Sequence, residues 1–155
     1  MSNSETMKLL KKKRVKFRLL KYPKTVRDTT LVAQHVDVSP NHLFKSLVVI
    51  DSTENPLIIM IPSNSRININ CLLYSILKRN GLKMATKTEA EELTGLQVGG
   101  ISPLALVGKN IPVYIDQSVK QFNWIVMSAG QRGVAVKLLS SDLLKITKAQ
   151  IIKIV

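Results

Sequence analysis

Phe44-Lys45-Ser46-Leu47-Val48-Val49-Ile50 and Leu57-Ile58-Ile59-Met60-Ile61 are two apolar runs rich in β-branched residues. Between them lies Asp51-Ser52-Thr53-Glu54-Asn55-Pro56, which has the composition of a turn. Runs of this length and type read as strands, and the pair predicts a hairpin of buried strands. Lys45 is out of place in the first run. A lysine on a buried strand must find a partner or face a cleft. The alternative is an edge-strand lysine whose stem lies on apolar surface while its ammonium reaches water.

Toward the N-terminus, residues 6–12 read as a short helix and residues 15–20 as a strand alternating apolar and basic side chains. Residues 29–36 read as a helix ended before Pro40. Toward the C-terminus, Leu72, Leu73, Ile76 and Leu77 have helical spacing over residues 70–79, with Gly81 as the stop. Thr88 and Glu91 read as a capping box that opens a second helix, ended at Gly95. Residues 96–107 form an apolar loop region. Residues 112–115, 124–127 and 134–138 read as strands. Ser140 or Ser141 caps a short helix around residues 142–145, and residues 151–155 read as a last strand. The expected class is α+β: a single domain over residues 1–155, with a curved, barrel-like mixed sheet and packed helices.

A chain of 155 residues can bury a core without cross-links. Cys71 is its one cysteine, so no internal disulfide forms and a reducing, cytoplasmic setting is expected. No window offers the roughly 20 unbroken apolar residues of a membrane span. The N-terminus lacks the basic-then-apolar order of a secretory signal. No membrane partner is expected.

Lysine and arginine number 23 against 10 acidic residues, a net charge of +13. Such an excess points to a polyanionic partner, of which nucleic acid is the commonest. Ten of the 23 lie between Lys8 and Arg27, and Lys11, Lys12, Lys13 and Arg14 are consecutive. Leu9, Leu10, Val15, Phe17 and Leu19 interleave with them, so the charges decorate a folded edge.

The common catalytic signatures are absent: no G-x-S-x-G, no P-loop, no G-x-G-x-x-G. His35 and His42 lack the spacing of a metal pair, and neither metal nor cofactor is expected. Val98-Gly99-Gly100-Ile101-Ser102-Pro103 is the most suggestive stretch. Its glycines permit close approach, Pro103 fixes the exit, and such a loop can aim several N–H groups at one oxygen. A tight turn between strands is the competing reading. Ser128-Ala129-Gly130-Gln131-Arg132-Gly133 is a second small-residue loop, where Arg132 either holds a phosphate or terminal adenosine or is a solvated turn residue. Asp116 reads as a cap of a turn, Cys71 as a small buried residue and Trp124 as core.

Taken in order, Phe44-Lys45-Ser46-Leu47-Val48, Glu91-Glu92-Leu93-Thr94-Gly95, Val98-Gly99-Gly100-Ile101-Ser102-Pro103-Leu104, Ile115-Asp116 and Ser128-Ala129-Gly130-Gln131-Arg132-Gly133 resemble the YbaK/ProX family of aminoacyl-tRNA deacylases. The resemblance runs from about Met7 to Val155. It implies a mixed α+β fold, hydrolysis of mischarged tRNA, and action in trans. Prolyl-tRNA synthetase is the partner it suggests.

The resemblance also assigns roles. Lys45 matches the family's functional lysine. Gly99 and Pro103 match a glycine-x-x-x-proline loop that positions the aminoacyl carbonyl, which places Gly100, Ile101 and Ser102 in the catalytic loop. Ser128, Gly130 and Arg132 match a second loop beside the pocket. Tyr22 falls where cysteine-specific members carry a pocket tyrosine. Ser46 stands where that branch has threonine, and Ala135 where some members are acidic. Lys11, Lys12, Lys13 and Arg14 are expected to follow the tRNA backbone. The loop is closest to the cysteinyl-tRNA(Pro) branch. The rival readings are an alanyl- or seryl-tRNA deacylase, or a non-catalytic RNA-binding module.

Overall fold

The computed structural model describes residues 3–76 and 81–155. In chain order its elements are α1 (Asn3–Lys12), β1 (Phe17–Lys21), α2 (Thr29–His35), β2 (Phe44–Asp51), β3 (Pro56–Pro62), α3 (Ile69–Ile76), β4 (Leu82–Met84), α4 (Lys87–Thr94), β5 (Val113–Asp116), β6 (Trp124–Gln131), β7 (Val134–Leu139), α5 (Ser140–Thr147) and β8 (Gln150–Ile152). Short 3-10 turns occupy Pro103–Leu106 and Gln117–Gln121. The expected continuation of α3 to residue 79 falls outside the described residues.

The expected hairpin forms, with Lys45 opposite Ile61 and Val48 opposite Ile58. Asp51 closes its turn by accepting the backbone N–H groups of Thr53 and Asn55 at 2.9 and 3.0 Å. β2 and β3 are central strands of a five-stranded sheet ordered β4-β2-β3-β5-β8, in which β3–β5 and β5–β8 are parallel. β1, β7 and β6 form a separate antiparallel sheet. Among the described residues, the sheets are bridged at Leu43–Val126, where Val126 N–H donates to the His42 carbonyl at 2.8 Å. Past Leu43, β2 turns its hydrogen bonds to β3 and β4. The barrel-like sheet of the sequence reading is therefore two open sheets.

Both faces of the hairpin are covered, which is why its strands read as continuous apolar runs. Phe44, Val48, Ile58 and Met60 face a core shared with Ile125, Met127, Val136 and Leu138 of the smaller sheet. Val49, Leu57, Ile59 and Ile61 face the other way, against Leu72 of α3 and Ile154. Val32 and Ala33 of α2 cover the far side of the smaller sheet at Val126 and Ala135. Burying one such aliphatic side chain stabilises by about 1.5–3 kcal/mol.

Three local expectations shift. The capping box is Thr86 with Glu89, not Thr88 with Glu91. Ala85 N–H still donates to the Val48 carbonyl at 3.0 Å, so the chain stays extended to that point and the helix opens directly after it. Ser140 is the first residue of α5 and not its cap, because its hydroxyl donates to the Phe122 carbonyl at 2.8 Å. Trp124 is half-buried: His42 stacks on it at 4.2 Å, and the Lys137 ammonium lies 3.9 Å from its centroid. No helix among the described residues is long and apolar enough to cross a membrane.

Candidate active site

The start of β2, the loop after α4 and the β6–β7 hairpin converge on a cleft of about 350 Å³. That volume lies within the range of small-molecule sites, roughly 300–1,000 Å³. β2 supplies Lys45 and Ser46. β4 pairs with Val49–Asp51, so among the described residues this part of the β2 edge has no strand neighbour on that side. The Lys45 side chain is partly buried, and burial lowers its pKa from the usual lysine value. The Asp28 carboxylate opposes that shift, while Arg66 adds to it. Asp28 also caps α2, accepting the Thr30 hydroxyl at 2.6 Å and the Thr30 N–H at 2.9 Å, and these bonds hold its pKa below the ordinary value. One carboxylate thus starts the helix that roofs the cleft and faces its lysine. The Ser46 hydroxyl is buried with no hydrogen-bond partner among the described residues.

Gly99 and Ile101 line the cleft from the opposite side. Gly99 adopts φ +96°, a left-handed conformation that suits glycine. The Gly100 N–H donates to the Gln97 carbonyl at 2.8 Å, closing a tight turn. Among the described residues, the N–H groups of Gly99, Ile101 and Ser102 have no acceptor. Gly99 is exposed at the cleft, whereas Ile101 and Ser102 are buried, and a buried N–H without a protein acceptor is uncommon.

The third wall is the β6–β7 hairpin. The sequence reading ends the strand at Met127, but β6 continues to Gln131 through a bulge after Ser128, and only Arg132 and Gly133 make the turn. The Gly100 Cα lies so close to this hairpin that an added Cβ would stand 2.8 Å from the Gln131 Cα. Arg132 Nε donates to the Val98 carbonyl at 2.7 Å, and its side chain lies along Gly99. The two small-residue loops are therefore one packed unit. Tyr22 N–H donates to the Gly133 carbonyl at 2.9 Å and places the phenol on the cleft wall, where burial pushes its pKa up and a hydrogen bond with the Gly133 backbone offsets part of that rise.

Of the residues singled out from sequence, Tyr22, Lys45, Ser46, Gly99, Ile101, Ser128 and Arg132 line this cleft. Gly100 and Gly130 are buried just behind it. Ser102 is fully buried, and its hydroxyl accepts Leu104 N–H at 3.2 Å to start a 3-10 turn. Pro103 is buried and faces a second groove of about 760 Å³, which Lys13 also lines. Lys11, Lys12 and Arg14 are exposed around the C-terminal end of α1 and do not line the cleft. Sequence reasoning missed Arg27, Asp28, Val32 and Leu43, all on the cleft wall. Asp28 carried a legible signal, an aspartate immediately before a helix, but nothing in the pattern said which cleft that helix would roof. Asp116 caps its turn as expected, and it also accepts Ile154 and Val155 N–H at 2.9 and 3.2 Å.

Lys45 and the loop at Gly99 thus stand on opposite walls of one cleft in an α+β frame. The model of the aminoacyl-tRNA editing domain matches residues 23–146, and the chain belongs to that family. Its activity class is that of an aminoacyl-tRNA deacylase of the YbaK type. A similar curated protein is EbsC of Enterococcus faecalis, provisionally named a Cys-tRNA(Pro)/Cys-tRNA(Cys) deacylase; it is 29% identical over 79% of this chain and 74% of its own length. The proline–tRNA ligase of Pediococcus pentosaceus is 31% identical over 68% of the chain, which covers 18% of the ligase. Among solved structures, hypothetical protein APE2540 superposes with TM-score 0.86 and 26% identity, covering 97% of this chain and 98% of its own. A protein described as a trans-editing enzyme for prolyl tRNA synthetase superposes with TM-score 0.83 and 21% identity over 99% and 98%, which supports the fold.

Proposed function

We propose that the chain removes cysteine from tRNA(Pro) in trans, hydrolysing the aminoacyl ester in the cleft between Lys45 and the loop at Gly99. The observation that carries this reading is the meeting of those two features across one small cleft. Action in trans is supported by the EbsC match, which spans most of that protein, whereas the ligase matches span under a fifth of theirs. Cysteine as cargo is supported by the name of EbsC and by the cleft's walls. Val32, Leu43, Leu47 and Ala135 make one side apolar, and Ala135 puts a methyl where some family members carry a carboxylate. Such a wall takes a small, weakly polar side chain at little desolvation cost.

The ester is already activated, so positioning supplies much of the rate. Water, or the cargo's own thiol, attacks the carbonyl carbon. The carbonyl oxygen becomes an oxyanion, held by the N–H groups of Gly99 and Ile101, the two loop residues that line the cleft, with the Lys45 ammonium nearby. When the tetrahedral species collapses, the C–O bond to the ribose breaks and the ribose oxygen takes a proton. Direct water attack releases free cysteine; thiol attack releases the cyclic thiolactone. Gly100 contributes its missing side chain, since its N–H is already used.

The basic N-terminal segment supports tRNA as the carrier. It runs from α1 along β1 to Tyr22 and Arg27 on the cleft wall, so Lys11, Lys12, Lys13 and Arg14 stand at its far end as phosphate contacts. Phosphate contacts choose no tRNA, and prolyl-tRNA synthetase is the proposed source of that choice. The test is Lys45→Ala on purified cysteinyl-tRNA(Pro), with circular dichroism as the folding control. The reading expects a loss of about 100-fold or more in a folded protein. Unchanged turnover sinks the assignment of Lys45.

A further inference from the structure

The two peptide groups that flank the Val98 Cα are each held by a charged side chain. The Val98 N–H donates to Glu91 Oε2 at 2.8 Å, from the last turn of α4. The Val98 carbonyl accepts Arg132 Nε at 2.7 Å, from the β6–β7 turn. Both partners are charged, and charge-assisted hydrogen bonds of this length are the strong kind. α4 itself is well fixed, with a capping box at Thr86 and Glu89 and a left-handed exit at Gly95, φ +74°.

The consequence follows from peptide geometry. The Val98 carbonyl and the Gly99 N–H belong to one planar trans peptide and point in opposite directions. Fixing the carbonyl on Arg132 therefore fixes the direction of the Gly99 N–H. The carbonyl's bond to a cation also polarises the peptide and makes that N–H a better donor. Glu91 does the same for the preceding peptide plane, between Gln97 and Val98. Glycine at 99 has wide backbone freedom, and beyond the Gly100–Gln97 turn bond these two anchors restrict the direction of its N–H.

We propose that Glu91 and Arg132 are positioning residues that act together through the two peptide groups flanking Val98 to orient and strengthen the Gly99 N–H for the developing oxyanion. This rests on the deacylase reading above. It gives Arg132 a task other than phosphate binding and gives Glu91 a role that a helix-surface carboxylate would not have. Glu91 acts as a hydrogen-bond acceptor, so its amide analogue keeps the function.

The experiment compares Glu91→Ala, Glu91→Gln and Arg132→Ala with the parent chain in two readouts. The first is steady-state deacylation of cysteinyl-tRNA(Pro). Glu91→Ala and Arg132→Ala are expected to lower kcat about tenfold or more with KM within about twofold, since the lost interaction acts in the transition state. Glu91→Gln is expected to retain most of kcat. The second readout is backbone NMR relaxation at Gly99 and Ile101, which needs no activity. Their N–H groups are expected to gain mobility in Glu91→Ala and to stay ordered in Glu91→Gln.

A change confined to KM, an equal loss in the alanine and glutamine variants, or an unaltered Gly99 amide in Glu91→Ala overturns the proposal. If the parent chain hydrolyses nothing, the deacylase reading fails, and the relaxation data still decide whether the clamp orders the loop. If Glu91→Ala does not fold, Arg132→Ala and Glu91→Gln decide between the same outcomes.

Discussion

A methyl group on Gly100 would stand 2.8 Å from the Gln131 Cα and 3.1 Å from the Arg132 N, and both neighbours are backbone. Neither can step aside as a side chain tip would, so the two loops must part. Gly100→Ala is expected to cost about 1–3 kcal/mol in chemical denaturation and to lower deacylation sharply, because it spreads the cleft's two walls. The nearby Lys45 works differently, as a charge and not as a spacer, so Lys45→Ala lowers turnover while stability stays nearly level. His42 gives a pH signature. Burial, and then the Lys137 ammonium, lower its pKa from the usual 6.5. The unfolded chain therefore binds more protons below that value, and stability, full above about pH 6.5, falls as the pH drops through the folded pKa. Denaturation midpoints across that range, with His42→Gln as the flat comparison, check the sign.

At the scale of elements, Asp116 ties three pieces together. Its carboxylate accepts N–H groups of Ser118, Ile154 and Val155, joining the end of β5 to the turn after it and to the chain leaving β8. Burial raises its pKa, but these bonds outweigh burial and leave it below the ordinary value. Its contribution is present above about pH 3.8 and is lost as pH falls through the folded pKa. Asp116→Ala orphans the Ile154 and Val155 N–H groups and is expected to destabilise by about 2–4 kcal/mol in urea titration. This clamp also explains a boundary missed in the sequence. A strand over residues 151–155 was expected, yet β8 ends at Ile152 because Asp116 takes the next hydrogen bonds. The hairpin of β2 and β3 was legible because two-sided burial writes itself as an apolar run. β4 was not, since its three residues are too short for any period to show. Thr88 and Glu91 fit the capping pattern as well as Thr86 and Glu89 do, and only the tertiary bond at Ala85 chose between them. In the cleft, Lys45 was legible as a charge in an apolar run and the loop by its glycines. Asp28 was legible only as a helix cap, because its place beside Lys45 depends on how α2 packs, and the Glu91 bond to Val98 was hidden because Glu91 was read as part of a capping box.

For the whole molecule, the net charge of +13 and its concentration in residues 8–27 set the expectation for binding. If that segment follows a phosphate backbone, tRNA affinity falls steeply with salt, and alanine at Lys11, Lys12, Lys13 and Arg14 flattens the log–log slope by about one unit per lost contact. Filter binding with uncharged tRNA across a salt series reads this without reference to catalysis. The measurement that reaches the centre of the account is hydrolysis of cysteinyl-tRNA(Pro) by the intact chain, beside alanyl-tRNA(Pro) and correctly charged prolyl-tRNA(Pro). The account predicts fast release of cysteine with the other two esters spared. Equal hydrolysis of all three, or preference for the prolyl ester, contradicts it.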